Sequence, residues 1–246
     1  MIDLRLASYL DPTVGLPSLP EGAVDVVITD PPFDARTHRA ALEGEKRPRG
    51  HRTVSAPLPF PPLDPEAIRA AAGLLVRVAQ RWLVVFAAER QIETWAAALE
   101  SAGARCIRFG IALRTNPRPQ FSGDRPAPPA DHIVIAHAGQ GRMRWNGGGK
   151  AAKWASPQAR FDPGGKIHPT QKPLDLMRGL VSDFTDPGEL ILDPFAGSGT
   201  TAVACKRLGR RFLGYEINPS YHAAAVDRIE ATHQQTAMPA LLGGNQ

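Results

Sequence analysis

The sequence contains little cysteine and no long hydrophobic run. Its 246 residues include only Cys106 and Cys205, which lie far apart and form no metal-type pair. No apolar stretch reaches the roughly 20 residues that a membrane helix needs, and no cationic, apolar leader follows Met1. These absences argue against a cysteine metal site and a membrane span. We expect a reduced, soluble, cytoplasmic protein that binds no metal.

Apolar residues make up 43% of the chain, which is enough for a sizeable core. The length suits one compact domain with embellishments, and we expect a single domain over residues 1–246. Lys and Arg total 29 against 24 acidic residues. This modest basic excess is compatible with a polyanionic partner but does not identify one.

Short apolar strands alternate with helical patterns along most of the chain. The sequence predicts strands over 2–6, 23–29, 83–87, 106–113, 132–137, 190–192 and 211–215. It predicts helices over 64–81, 89–102, 173–184, 200–208 and 221–231. Such alternation is typical of the α/β class with a doubly wound, mostly parallel sheet. Two irregular stretches interrupt it: residues 34–62, predicted to be a mobile basic loop, and residues 138–167.

The stretch VVITDPPF at 26–33 ends a buried strand in an unusual turn. A proline has no backbone donor and keeps the preceding residue extended, so Pro31 and Pro32 make this turn stiff. A stiff turn can direct the Asp30 carboxylate, the Pro31 carbonyl and the Phe33 ring at one small target. The alternative is that Asp-Pro-Pro is ordinary loop punctuation.

A second motif, LILDPFAGSGTT, occupies 190–201 and is followed by GYE at 214–216. Gly197 and Gly199 allow a ligand close to the backbone, and the helix that follows directs unpaired amides to the same space. Glu216 ends the next strand, where an acidic side chain can accept from both hydroxyls of a ribose. A dinucleotide site is an alternative, although that fingerprint normally forms the first strand–helix turn. A glycine-rich turn without a ligand is another.

These motifs resemble those of DNA amino-methyltransferases. The run D-P-F-x-G-S-G-T-T with G-Y-E is similar to their S-adenosylmethionine site, and D-P-P-F is similar to their catalytic motif. HPTQKP at 168–173 resembles the segment that completes the cofactor pocket. With the catalytic motif first and the cofactor motif last, the order resembles the circularly permuted β group, and shorter runs resemble its small phage- and prophage-type members.

The resemblance implies a Rossmann-like, class I methyltransferase fold with S-adenosylmethionine as cofactor. In the permuted order, 2–6 and 23–29 would be the third and fourth strands of the sheet, and 190–192 and 211–215 the first and second. The residues that the resemblance assigns to the cofactor are Asp193, Pro194, Phe195, Ala196, Gly197, Ser198, Gly199, Thr200, Thr201, Glu216, Ile217, Asn218, His168, Thr170, Gln171 and Lys172.

The resemblance also implies methyl transfer to an exocyclic amino group of a base flipped out of DNA. The residues assigned to catalysis are Asp30, Pro31, Pro32 and Phe33. Asp30 and the Pro31 carbonyl would accept from the amine, and Phe33 would stack on the base, a contact worth about 1–3 kcal/mol. Asp rather than Ser at position 30 favours adenine N6 over cytosine N4. Cytosine N4 stays an alternative, as do a silent DNA-binding relative and an enzyme acting on RNA or a protein amide.

Cysteine placement argues against methylation of the cytosine ring carbon. That reaction needs a covalent thiolate, which in the related enzymes follows a proline. Cys106 and Cys205 instead lie within predicted regular elements, and we expect both in the core.

DNA is the expected partner, and a homodimer would lengthen the recognised site. The predicted DNA contacts are Arg36, His38, Arg39, Arg47, Arg49, Arg52, Phe121, Asp124, Arg125, Lys150 and Lys153. Residues 138–167 would serve as a short target-recognition insertion. The basic loop could also be a solvated surface segment without a role in binding.

Overall fold

The computed structural model describes residues 1–33, 62–117, 126–139, 142–158 and 170–233. The strands are β1 (Ile2–Leu6), β2 (Val24–Thr29), β3 (Ala79–Ala87), β4 (Arg105–Arg114), β5 (Ala130–His137), β6 (Lys153–Ser156), β7 (Leu190–Asp193) and β8 (Arg211–Glu216). The α-helices are α1 (Pro65–Val78), α2 (Ile92–Ser101), α3 (Leu174–Phe184), α4 (Thr200–Arg207) and α5 (Pro219–Glu230). Among these helices none is long and apolar enough to cross a bilayer.

All eight strands form one sheet in the order β1-β8-β7-β2-β3-β5-β4-β6. Within it only β5 runs antiparallel to its neighbours, β3 and β4. Helices α3 and α4 cover one face through Leu180 and Val203, and α1 and α2 cover the other through Leu75 and Trp95. The predicted doubly wound, mostly parallel sheet is therefore confirmed.

Most predicted elements agree with the structure to within a few residues, but one helix boundary was wrong. Helix α1 begins as expected, since the Asp64 carboxylate accepts from the Ala67 amide at 2.8 Å. It ends at Val78, not at 81, because residues 79–82 belong to β3. Trp82 pairs with Val26 of β2 there, so sheet pairing overrides the local helical pattern.

The other difference is β6, which the sequence did not predict. It has only four residues and pairs in parallel with the end of β4. Trp154 and Ser156 are its buried side chains, and the Trp154 indole nitrogen donates to Asp183 of α3 at 2.6 Å. A strand this short shows too little alternation to be distinguished from a loop.

Because most strands are parallel, their carboxyl ends lie at one edge of the sheet and their amino ends at the other, and different residues lie at each edge. Asp30 follows β2, Asp193 ends β7 and Glu216 ends β8, so all three lie at the carboxyl edge. The opposite edge holds the end of α3, where the Asn146 side-chain amide donates to the Thr185 carbonyl at 3.0 Å. In open α/β sheets ligands bind at the carboxyl edge, so the site is expected there.

Candidate active site

A cavity of about 560 Å³ opens at the carboxyl edge of the sheet. Among the segments that line it are three that the sequence predicted: 30–33, 170–172 and 193–198, together with Glu216. Its volume lies within the range of small-molecule and cofactor sites. The structure thus brings the two quoted motifs and the end of HPTQKP to one place.

The two motifs meet because β2 and β7 are neighbours. Val26 pairs with Ile191 and Val27 with Leu192, so the strands end side by side. Across that junction the Thr29 hydroxyl donates to Asp193 at 2.8 Å. The turn after β2 and the turn after β7 therefore form adjacent walls of the cavity.

Asp193 uses its carboxylate to hold these walls together. Besides Thr29, it accepts from the Thr201 hydroxyl at 2.6 Å and from the Phe195 amide at 3.1 Å. Burial raises the pKa of Asp193 to about 6, although these donors favour the ionised form. Asp193 was predicted to bind the cofactor, and the structure shows its carboxylate accepting hydrogen bonds from Thr29, Thr201 and Phe195.

Asp30 presents one engaged and one open carboxylate oxygen. Its Oδ2 accepts from the Lys172 ammonium at 2.7 Å. Its Oδ1 is buried and has no hydrogen-bond partner among the described residues. Burial raises the pKa of Asp30, while Lys172 acts in the opposite direction. A buried acceptor without a donor is unusual in folded proteins, and because Asp30 lines the cavity, a ligand bound there can donate to this oxygen.

Phe33 lies partly buried at the edge of the same cavity. The Lys172 nitrogen is 5.2 Å from the centroid of its ring and 4.9 Å from that of Phe86. Both distances are within the range of cation–π attraction. Lys172, predicted to contact the cofactor, is thus directed at the catalytic turn.

The glycine-rich turn has the backbone that the second motif predicted. Gly197 and Gly199 have φ of 52° and 70°, a region that favours glycine. A side chain at Gly199 would meet Ala225 of α5 at 3.0 Å. Arg228 of α5 holds the turn from outside, donating to the Ser198 carbonyl at 3.2 Å and the Thr200 hydroxyl at 2.9 Å. Gly199 thus packs against α5, while Gly197 and Ser198 line the cavity.

Glu216 lies at the end of β8 on the cavity wall and is buried. One of its oxygens accepts from the Asn218 amide at 2.7 Å. Burial raises the pKa of Glu216, although hydrogen bonds from the backbone amides of Asn218, Gly197 and Ile217 act to lower it. Asn218 itself, another predicted cofactor residue, uses its side chain to cap α5 by accepting from the Ser220 and Tyr221 amides.

Several lining residues were missed by sequence reasoning. Tyr9 packs on Phe195 with ring centroids 4.8 Å apart. The other missed residues come from the turn after β1, the region around the starts of α1 and α3, and the end of β8. They are Ala7, Ser8, Leu10, Pro62, Leu63, Asp64, Ala67, Met177 and Tyr215. The available signal was that residues 7–10 follow a predicted parallel strand, and the ends of such strands share one edge.

The predicted DNA contacts divide into two sets. Lys150 forms an ion pair with Asp183 near the end of α3, and this places it at the edge opposite the cavity. Lys153 is exposed on β6. The second set lies outside the described residues, together with most of the predicted basic loop: Arg36, His38, Arg39, Arg47, Arg49, Arg52, Phe121, Asp124 and Arg125. His168, which was predicted to contact the cofactor, also lies outside them.

The two thiols lie away from the cavity walls. Cys205 is buried in α4, and Cys106 packs partly buried in β4. Burial raises the pKa of Cys106 to about 11 and also raises that of Cys205. Both thiols are therefore protonated near neutral pH and are poor nucleophiles.

Comparisons with known proteins give likenesses to DNA methyltransferases. The N6/N4 methyltransferase family model, described as DNA methylase, matches residues 140–227. YubD of Escherichia coli (strain K12), which carries the name of a methylase, is 28% identical over 227 residues, covering 88% of this chain and 86% of that protein. The type II methyltransferase M2.DpnII of Streptococcus pneumoniae is 46% identical over 85 residues, 35% of this chain and 28% of that protein.

Solved structures share the whole fold. The crystal structure of the M1.HpyAVI–SAM complex has a TM-score of 0.68 and 27% identity, covering 93% of this chain and 99% of that one. The cytosine-N4-specific PvuII DNA methyltransferase has a TM-score of 0.70 over 92% of this chain and 86% of that one, but only 16% identity, so it shows the fold alone. Together these likenesses support a DNA amino-methyltransferase of the N6-adenine or N4-cytosine type with a class I fold.

Proposed function

We propose that this DNA amino-methyltransferase transfers a methyl group to the N6 amino group of adenine in DNA. One observation carries the proposal: the buried Oδ1 of Asp30 has no donor among the described residues, in a cavity shared with the glycine-rich turn. An exocyclic amine supplies the missing donor. A carboxylate beside it also stabilises the positive charge that develops on the nitrogen.

The cofactor is S-adenosylmethionine, and the residues of the cavity suit it. Gly197 brings the backbone to the cavity without a side chain, Glu216 offers carboxylate oxygens for ribose hydroxyls, and Tyr9 with Phe195 forms an aromatic wall. When bound, the cofactor would supply an electrophilic methyl group: the amine would form a bond to it and release a proton to solvent, and sulfur would keep the electron pair of the broken bond.

The catalytic turn orients the target in this proposal. Asp30 Oδ1 and the Pro31 carbonyl accept from the amine, which holds it while its lone pair is turned out of the base plane. Phe33 stacks on the extruded base, and this contact offsets part of the few kcal/mol that unstacking costs. Pro31 and Pro32 keep the turn stiff.

The choice of adenine rests on the residue at position 30. Asp at the start of this motif favours adenine N6 by resemblance, whereas Ser favours cytosine N4. We also place the chain in the circularly permuted group, which the sheet order supports: β1 and β2 flank the pair β8 and β7, as the permuted numbering requires. The same proposal includes DNA contacts made by Lys153, by the basic residues within 36–52 and by residues 121–125. It also includes assembly as a homodimer.

Product analysis tests the proposal. The protein is incubated with radiolabelled S-adenosylmethionine and unmethylated bulk DNA, and the DNA is digested to nucleosides. Label in N6-methyl-2′-deoxyadenosine is expected, with at most a trace in the Asp30→Asn variant. Label in N4-methyl-2′-deoxycytidine would overturn the choice of base and keep the enzyme class. Label in RNA or protein but not in DNA would overturn the substrate.

A further inference from the structure

Lys172 is packed tightly against the catalytic turn. Its side chain is 11% exposed, and its nitrogen donates to Asp30 Oδ2 at 2.7 Å. The same nitrogen faces the rings of Phe33 and Phe86 at 5.2 and 4.9 Å. Lys172 therefore contacts two of the four residues assigned to catalysis, Asp30 and Phe33.

A second carboxylate holds Lys172 from the side of the sheet. Its nitrogen is 3.8 Å from Asp131 Oδ2 in β5, and the other oxygen of Asp131 pairs with Arg114 at the end of β4. The side chains thus form a row of alternating charge: Arg114, Asp131, Lys172 and Asp30. Burial lowers the pKa of Lys172, but the carboxylates of Asp30 and Asp131 outweigh it and raise the pKa overall. The lysine therefore stays protonated.

We propose that Lys172 is a positioning residue for the methyl transfer. It fixes Asp30 Oδ2 and covers one face of the Phe33 ring, so that Oδ1 alone accepts from the target amine and the base stacks on the opposite face. This inference rests on the function proposed above. It assigns to Lys172 a task at the catalytic turn in place of the cofactor contact that the sequence predicted.

Stability alone does not account for this pair. A buried ion pair gains little over apolar side chains of similar volume, because removing both charges from water is costly. Its use here is geometric: with one oxygen held, the carboxylate plane of Asp30 cannot rotate freely. A fixed acceptor needs no reorganisation as charge develops on the amine.

The charges that face Asp30 allow a test by pH. They are Lys172, Asp131, Arg114 and Asp193. Lys172 and Arg114 lower the pKa of Asp30, and Asp131 raises it. Because the ionised carboxylate is the acceptor, activity falls on acidification as Asp30 takes up a proton. Removing Lys172 should move this acid limb to higher pH, and removing the charge of Asp131 should move it to lower pH.

The experiment compares Lys172→Met, Lys172→Arg and Asp131→Asn with the wild-type protein. Methyl transfer to DNA is measured as kcat and KM across pH, and S-adenosylmethionine affinity is measured by calorimetry. For Lys172→Met we expect kcat to fall about tenfold or more and the acid limb to rise by about one pH unit or more. Lys172→Arg should restore part of kcat, and cofactor affinity should change by less than about threefold, well under 1 kcal/mol.

The outcomes separate this inference from the proposed function. If the wild-type protein does not methylate DNA, the proposed function fails and this inference fails with it. If the wild-type protein is active and Lys172→Met loses cofactor affinity with an unmoved acid limb, Lys172 is a cofactor or structural residue and only this inference fails. If Lys172→Met does not fold, the pH profile of Asp131→Asn is the deciding measurement. An acid limb at the same pH as in the wild-type protein would contradict the proposed row of charges from Arg114 to Asp30.

Discussion

The hydroxyl of Thr29 donates to the carboxylate of Asp193 at 2.8 Å across 164 residues of sequence. This bond joins the last residue of β2 to the last residue of β7, just before the two turns that line the cavity. The methyl acceptor and the methyl donor are proposed to bind on those two turns. The bond thus links the strand ends that carry the two proposed binding turns directly to each other.

Asp30→Asn should strongly lower the rate of methyl transfer and leave S-adenosylmethionine affinity nearly unchanged. The amide keeps the shape of the carboxylate but loses the charge and the full acceptor capacity, and such a loss in a preorganised site costs on the order of 10²–10³ in kcat. Initial rates and calorimetry measure the two effects.

The matched control for this variant is Asp25→Asn at the other end of β2. Asp25 accepts from the Leu190 amide at 2.7 Å, so its substitution should lower stability but not turnover of the folded protein. Equal loss of turnover in both variants would show that Asp30 acts through the fold of β2 alone.

Glu216→Gln should weaken S-adenosylmethionine binding, because a neutral amide offers one acceptor oxygen where the carboxylate offers two. Burial raises the pKa of Glu216, so the wild-type affinity should decline on acidification at a higher pH than for an ordinary glutamate. Calorimetry across pH measures both effects. Glu189→Gln is the control, since Glu189 pairs with Arg81 at the opposite edge. Tighter binding of NAD than of S-adenosylmethionine would revive the dinucleotide alternative.

Asp193→Asn should change how stability depends on pH. The pKa of Asp193 is raised to about 6 from 3.8, so the folded state holds this proton more tightly than the unfolded state. The ionised group therefore costs stability above about pH 6, and the cost disappears as the pH falls toward 4. The shift corresponds to about 3 kcal/mol. Urea unfolding should show the wild-type protein gaining about that much relative to the variant between pH 7 and pH 4. A difference that is independent of pH would contradict the assignment.

Lys150→Ala should lower stability and leave DNA kinetics unchanged. Lys150 pairs with Asp183, which also accepts from the Trp154 indole at 2.6 Å, at the edge opposite the cavity. The expected loss is about 1 kcal/mol in the free energy of unfolding. Lys153→Ala is the matched variant, and it should raise KM for DNA and reduce its salt dependence, because fewer counterions are released. The reverse pattern would assign the DNA contact to Lys150.

Short-range patterns in the sequence determined most of the secondary structure. Apolar periodicity predicted the sheet, the helical pattern from residue 64 located the start of α1, and Asp30 and Glu216 were expected at strand ends. Each of these features depends on a few neighbouring residues, so it can be read without knowing the rest of the fold. The turn chemistry around Gly197 and Gly199 is local in the same sense.

Only the tertiary structure decided which side chains meet. Lys172 and Asp30 are 142 residues apart, and no local pattern indicates that the lysine faces the catalytic carboxylate and not the cofactor. The end of α1 at Val78, the strand β6 and the contact of Tyr9 with Phe195 likewise depend on sheet pairing and packing between distant segments. The physical reason is that burial and ion pairing are set by the final position of each element, while periodicity reports only which face of an element is apolar.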